Sequence, residues 1–250
     1  MPNDEKFYTH LIVVLGQITT AAMVIPLVVA VARWRLLTSP LRIFFWSRLA
    51  LVVSASFELL FIEVVTRYQD FWVPYLNKWQ ISDTNFLQIT SQLPTFLLIG
   101  WFYSSLLSTY EKKAYNIVWL ISIGLALTAV INYLFIEGFR VHGTLNPLML
   151  SLFLISIPMI YLFFLAKTPF GIPLSKTPYF WISVGILLVN LLSLFFSTTG
   201  NKLYLTDYVL YAKFLIARNA ISVLAQFIFA YAFYQAKYAR LIHLSDSPIN

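Results

Sequence analysis

The sequence predicts an all-α polytopic membrane protein, a single seven-helix transmembrane bundle with its N-terminus outside and its C-terminus inside. Three observations carry that reading. The chain is 60% hydrophobic and only 11% charged over 250 residues, outside the range of soluble domains. Seven apolar stretches each run to about 20 residues or more, enough to cross ~30 Å of hydrocarbon. The basic residues sit at the ends of those stretches and form no tail or patch, so the net charge of +7 reads as membrane orientation and excludes a nucleic-acid surface.

The expected spans are 8–32, 43–66, 86–110, 115–136, 147–166, 179–198 and 208–234, within one domain covering 1–250. The first follows an acidic start, Asp4 and Glu5. It is longer than a signal-peptide core and lacks a small-residue cleavage site, so it is expected to be retained. The second ends at Arg67, and the stretch from Arg67 to Asn85 carries Trp72, Tyr75 and Trp79. That stretch is expected to lie along the membrane interface as an aromatic-anchored loop or short helix. The other connections are short. Pro26, Pro94 and Pro158 fall inside the first, third and fifth spans and mark bends, since each removes a backbone hydrogen bond.

Orientation follows from alternate loops. One side carries Arg33, Arg35, Arg42, Lys112, Lys113, Lys167, Lys176, Lys237 and Arg240, and the other carries Lys6, Arg67, Lys78, Arg140 and Lys202. The excess places the first set, and the C-terminus, in the cytoplasm. Cysteine is absent, which excludes disulfides and thiolate chemistry, and His10, His142 and His243 share no ligand spacing. No metal or cofactor is expected.

The polar residues of each span recur at helical spacing. Asn85, Gln88, Gln92 and Thr95 share a face of the third span, Ser47, Ser54 and Glu58 of the second, and Ser183, Asn190, Ser193 and Ser197 of the sixth. His10 with Gln17, Thr128 with Asn132, and Arg218 with Ser222 and Gln226 extend the pattern to the first, fourth and seventh. All are expected to face one interior. Depth singles out Arg218, about 15 Å below the outer end of its helix, with Lys213 about half as deep and Glu58 about 12 Å down its own helix. A cation at mid-bilayer costs roughly 2.5–3.5 kcal/mol, so Arg218 calls for protein or water beside it. Arg48, near the cytoplasmic rim, is expected to snorkel.

Two readings of these groups remain. In one, Glu58 or Glu63 pairs with Arg218 or Lys213 and the amides hold helices in register. In the other, Glu58, Gln88, Gln92, Asn132, Asn190, Lys213 and Arg218 line an outer-half pocket for a small polar or anionic ligand. Other chemistries fit less well. Glu58 and Glu63 stand about 140° apart on a helix, so they serve no common reaction centre. The third span offers no acidic counter-ion for a retinal lysine, and no phosphate loop or Ser-His-Asp set occurs.

The run from Pro178 to Leu188, PYFWISVGILL, resembles the signature of a family of uncharacterised bacterial seven-span membrane proteins, in which a Pro-x-Phe-Trp-Ile-x-x-Gly-Ile/Leu-Leu string opens the sixth span. Members also carry an acidic residue in the second span, like Glu58 here, and often a tyrosine after the string, where this chain has Val189 and Asn190. The resemblance implies an all-helical bundle in the bacterial cytoplasmic membrane and brings no residue roles. The expected function is that of a receptor-like or sensory protein that passes ligand binding to a separate cytoplasmic signalling partner. The alternatives are a small-molecule carrier using the same pocket and, further off, an intramembrane lipid-modifying enzyme.

Overall fold

The computed structural model describes residues 2–81, 84–139, 143–167 and 173–239. Arg140, His142, Arg240 and His243 lie outside the described residues, as does Asp83. Every regular element among the described residues is helical. The first expected span is two helices, α1 (Pro2–Ala22) and α2 (Val24–Ala32), separated at Met23. Pro26 has no N–H to offer Ala22, so the helical ladder lapses there. Met23 N bonds instead to both Thr19 O and Thr20 O at 3.2 Å. The hydroxyls of Thr19 and Thr20 turn back to Leu15 O (2.7 Å) and Gly16 O (3.1 Å), a pattern that bends helices.

Helix α3 (Ser39–Arg67) starts with Pro40 in its first turn, where the fixed φ suits a helix start. The stretch after Arg67 contains a short helix, α4 (Gln69–Trp79), which ends at Gln80 in the left-handed region (φ 54°). Its Phe71, Tyr75 and Trp79 are exposed. Next come α5 (Gln88–Leu107) and α6 (Lys112–Ile131), which runs on as a π-helical turn over Asn132–Ile136. Then follow α7 (Leu145–Lys167), α8 (Pro178–Thr206) and α9 (Tyr208–Tyr234). Asp207, the one residue between the last two, caps α9 by accepting from Leu210 N at 2.9 Å.

Among the described residues, six helical stretches are long and apolar enough to cross a membrane: Phe7–Ala32, Ser39–Arg67, Lys112–Ile136, Leu145–Lys167, Pro178–Gly200 and Tyr208–Tyr234. Helix α5 is not among them, because Gln88, Thr90, Ser91, Gln92 and Thr95 dilute its first half. It is also the most enclosed helix, packed against α3, α6 and α7. A helix walled by other helices has little need of an apolar surface. The helices form a closed circuit of α3, α5, α7, α8, α9 and the α1–α2 pair, with α6 outside against α5.

Burial is uneven along the bundle. At the end carrying Arg33, Arg42, Lys112, Lys167 and Lys176, hereafter the basic end, six aromatic side chains are almost fully buried: Phe44, Phe102, Tyr103, Tyr179, Phe229 and Phe233. Phe44 lies 5.4 Å from Phe102, 5.3 Å from Phe229 and 5.7 Å from Phe233, centroid to centroid. Tyr103 and Ser183 hydroxyls bond at 3.0 Å, and those of Thr38 and Tyr179 at 2.8 Å, so the layer is pinned at its polar rims. Toward the other end packing thins. Helix α3 has no buried residue beyond Ser47, and α9 has none between Ala212 and Ala225.

A polar cavity between α5, α7, α8 and α9

Helical periodicity assembles one polar cavity from four helices. Gln88, Ser91 and Gln92 come from α5, Pro147, Leu150 and Ser151 from α7, Asn190, Ser193, Phe196, Ser197 and Gly200 from α8, and Tyr211 and Arg218 from α9. Its volume is about 410 Å³, within the range of small-molecule sites. Several lining side chains use backbone carbonyls of their own helix: Asn190 Nδ2 donates to Ile186 O (2.7 Å), Ser193 Oγ to Val189 O (3.0 Å) and Ser197 Oγ to Ser193 O (3.1 Å). Those bonds occupy the hydroxyl hydrogens of Ser193 and Ser197 and one of the two amide hydrogens of Asn190.

Four polar lining side chains, Gln92, Ser151, Tyr211 and Arg218, have no hydrogen-bond partner among the described residues. Gln92 is 7% exposed and Ser151 is 4% exposed. Arg218 makes no hydrogen bond and meets no carboxylate; its guanidinium carbon lies 5.6 Å from the Phe196 ring centroid. Among the described residues, no acidic side chain lines this cavity. The wall therefore carries one positive charge and a set of neutral donors and acceptors.

A second, smaller cavity of about 20 Å³ lies on the far side of α5's polar face, and Gln88, Gln92 and Pro147 line both. Asn132, in the π-turn, donates through Nδ2 to Glu137 Oε2 (2.7 Å) and Asn146 Oδ1 (3.0 Å), and Asn146 Nδ2 donates to Ala129 O (3.1 Å). Glu137 Oε1 also accepts from Thr144 N (3.0 Å), Thr144 Oγ1 (3.1 Å) and Leu145 N (3.1 Å), capping α7. Desolvation would raise the carboxyl's pKa, but the bonds from Asn132, Thr144 and Leu145 outweigh it and hold it below the usual carboxylate value. Gly143 makes this cap feasible, since a Cβ there would stand 2.6 Å from Glu137 Oε2.

Of the residues singled out by sequence, the large cavity brings together Gln88, Gln92, Asn190 and Arg218, and Asn132 lines the small one. Glu58 and Lys213 line neither. Glu58 accepts from Thr84 Oγ1 at 2.6 Å, tying the segment before α5 to α3, and Lys213 is exposed. The expected pairing of Glu58 or Glu63 with Arg218 or Lys213 is absent among the described residues. The reason is geometric: α3 and α9 meet through Phe44, Arg48 and Phe229 at the aromatic layer, well below Arg218. His10, Gln17 and Thr128, expected to face inward, are exposed.

Arg48 corrects another expectation. It does not snorkel to the rim. Its guanidinium carbon lies 4.9 Å from the Phe44 centroid and 5.0 Å from that of Phe229, Nη2 donates to Ser47 Oγ at 3.3 Å, and Nε is buried without a partner. Two ring faces stand in for a counter-ion, an arrangement worth about 2 kcal/mol when desolvated.

The fold and the cavity define a class: among the described residues, an all-helical bundle with six helices long and apolar enough to cross a membrane and a polar cavity between four of its helices that carries one cation without a carboxylate beside it. Comparison with protein-family models, curated proteins and solved structures finds no match to this chain.

Proposed function

We propose that the protein is a receptor-like membrane protein that binds a small organic anion, such as a carboxylate, in the 410 Å³ cavity. The observation that carries this reading is Arg218: a cation facing a cavity whose described lining holds no acidic residue, with the Phe196 ring beside it and no carboxylate or hydrogen-bond partner. An anion would supply the missing charge, and its oxygens would accept from the Gln92 amide, the Ser151 hydroxyl and the second Nδ2 hydrogen of Asn190. The aromatic layer fills the bundle on the basic side of the cavity, which suits a receptor better than a carrier. The output would pass to a cytoplasmic partner.

In this reading α5 is a seventh span, shielded by its neighbours, and the basic end faces the cytoplasm of a bacterial cell, as the loop charges favour. The carrier alternative draws on the break at Met23, a hinge that alternating access could use.

The test is thermal unfolding of the detergent-purified chain with acetate, lactate, benzoate and a neutral amide. A fitting anion at ~100 times its Kd raises the midpoint by about 5 °C or more, and Arg218→Gln removes that shift. No anion-dependent shift, or one that Arg218→Gln retains, overturns the proposal. Uptake of the same anion into proteoliposomes would replace the receptor by the carrier.

A further inference from the structure

Between α2 and α3 the chain makes a single 3₁₀ turn, Trp34–Leu36, which leaves an open groove of about 490 Å³ lined by residues 31–36. No acidic side chain lines it among the described residues. Two guanidiniums at this turn rest on rings. Arg33 lies 4.6 Å from the Tyr234 centroid at the end of α9, and Arg42 lies 5.5 Å from the centroid of Trp34, which Phe45 meets edge-on at 5.1 Å. Neither Arg33 nor Arg42 has a carboxylate or a hydrogen-bond acceptor among the described residues. The rings hold two forked donors in place and leave their charge and N–H groups unused. The groove also has an apolar flank. Val24, Val28 and Val31 recur at helical spacing on the exposed face of α2, and Val31 reaches the groove itself. Trp34 and Trp46 are exposed beside it, tryptophan being the residue that marks a membrane–water boundary.

We propose that this turn is a binding site for an anionic phospholipid, with the phosphodiester held by Arg33 and Arg42 beside Trp34 and an acyl chain laid along Val31, Val28 and Val24. Charge selects the headgroup. Two cations with no acid between them favour a lipid of net negative charge over a zwitterionic one, whose own ammonium they repel. The flank selects a lipid over a free phosphate or an acidic peptide, since only a hydrocarbon chain gains from a row of exposed valines. The rings add preorganisation: guanidiniums already positioned lose less freedom when the phosphate arrives. The groove lies on the basic side of the aromatic layer, away from the Arg218 cavity, and its occupant is independent of what fills that cavity.

The purified full-length chain is reconstituted in nanodiscs of phosphatidylcholine, alone or mixed with phosphatidylglycerol, and unfolded thermally. The expected result is a midpoint about 3 °C or more higher with phosphatidylglycerol, as for a site filled at ~10 times Kd. The double variant Arg33→Gln, Arg42→Gln is expected to lose that difference. The double variant Lys112→Gln, Lys113→Gln takes the same charge from the start of α6, at the same end of the bundle, and is expected to keep it. Glycerol 1-phosphate added to the phosphatidylcholine discs is expected to leave the midpoint unchanged. Native mass spectrometry of the wild-type chain released from mixed discs, which needs no variant to fold, is expected to show phosphatidylglycerol retained in preference to phosphatidylcholine. Equal midpoints in the two discs, or equal retention of the two lipids, overturn the proposal. Equal losses in the two double variants also overturn it, since diffuse charge would then account for the effect. A shift with glycerol 1-phosphate as large as that with phosphatidylglycerol overturns a lipid as the occupant.

Discussion

Replacing Gly185 by alanine tests whether the aromatic layer is as tightly packed as its geometry implies. A Cβ at position 185 would stand 2.5 Å from Phe229 Cε1 and 3.1 Å from Cδ1 and Cζ, about 1 Å inside ordinary carbon contact. Phe229 is 1% exposed and has nowhere to go: Phe44 lies against it at 5.3 Å and the Arg48 guanidinium at 5.0 Å. A clash as close as 2.5 Å falls in the upper part of the overpacking range, about 2–3 kcal/mol, and the better helix propensity of alanine returns up to ~1 kcal/mol. The net loss, about 1–2 kcal/mol, lowers the thermal midpoint by roughly 2–8 °C in a chain of this size. The assay is thermal unfolding of Gly185→Ala, Phe229→Leu and the double variant. Leucine at 229 makes room for the new methyl, so the two losses should fall short of additivity by about 1 kcal/mol. A wild-type midpoint in Gly185→Ala, or strict additivity, would refute the packing argument.

Other outcomes follow from the same coordinates. Arg48→Met should be at least as stable as Arg48→Lys, because methionine fills the space between the rings without a charge to desolvate, while lysine forfeits the flat stacking; a midpoint for the lysine variant well above that of methionine would contradict this. Arg218→Ala should keep its midpoint to within about 0.5 kcal/mol, since no carboxylate is left orphaned, and lose only the response to anions. The Glu137 carboxyl is held low in the folded chain, so its contribution to stability is present above the ordinary carboxylate pKa and is lost as pH falls through the lowered folded value. Glu137→Gln should therefore flatten the acid limb of a midpoint-versus-pH curve. Gly143→Ala, which pushes the same carboxylate off α7, should cost about 0.5–2 kcal/mol in the unfolding midpoint at neutral pH.

Much of the bundle was legible because hydrocarbon length and helical period act locally. The runs around α3, α7 and α9 could be bounded from composition, and the i, i+3, i+4 spacing of Gln88 and Gln92, or of Asn190, Ser193 and Ser197, placed each set on one face. Other features needed tertiary knowledge. Asn132 and Glu137 stand five residues apart, on different faces of an α-helix, and meet only because Asn132–Ile136 winds as a π-turn. Ser151 and Tyr211 carry no signal beyond a hydroxyl near other polar positions. Glu58 was assigned inward by its spacing, yet spacing could not reveal Thr84 as its partner. Sequence points Arg48 toward the rim because snorkelling is the default for a long cation near a helix end, whereas the fold brings two rings from separate helices closer to it.

The aromatic layer has a mechanical consequence. Rings interlocked at crystal-like density do not yield by degrees, so a helix gripped there can tilt about the grip but cannot easily slide through it. Phe44, Phe102 and Phe229 grip α3, α5 and α9 near one level, with the cavity above and the basic termini below. The layer is thus placed as a fulcrum: if the long, loosely packed arms were drawn inward, the short arms beneath it would spread.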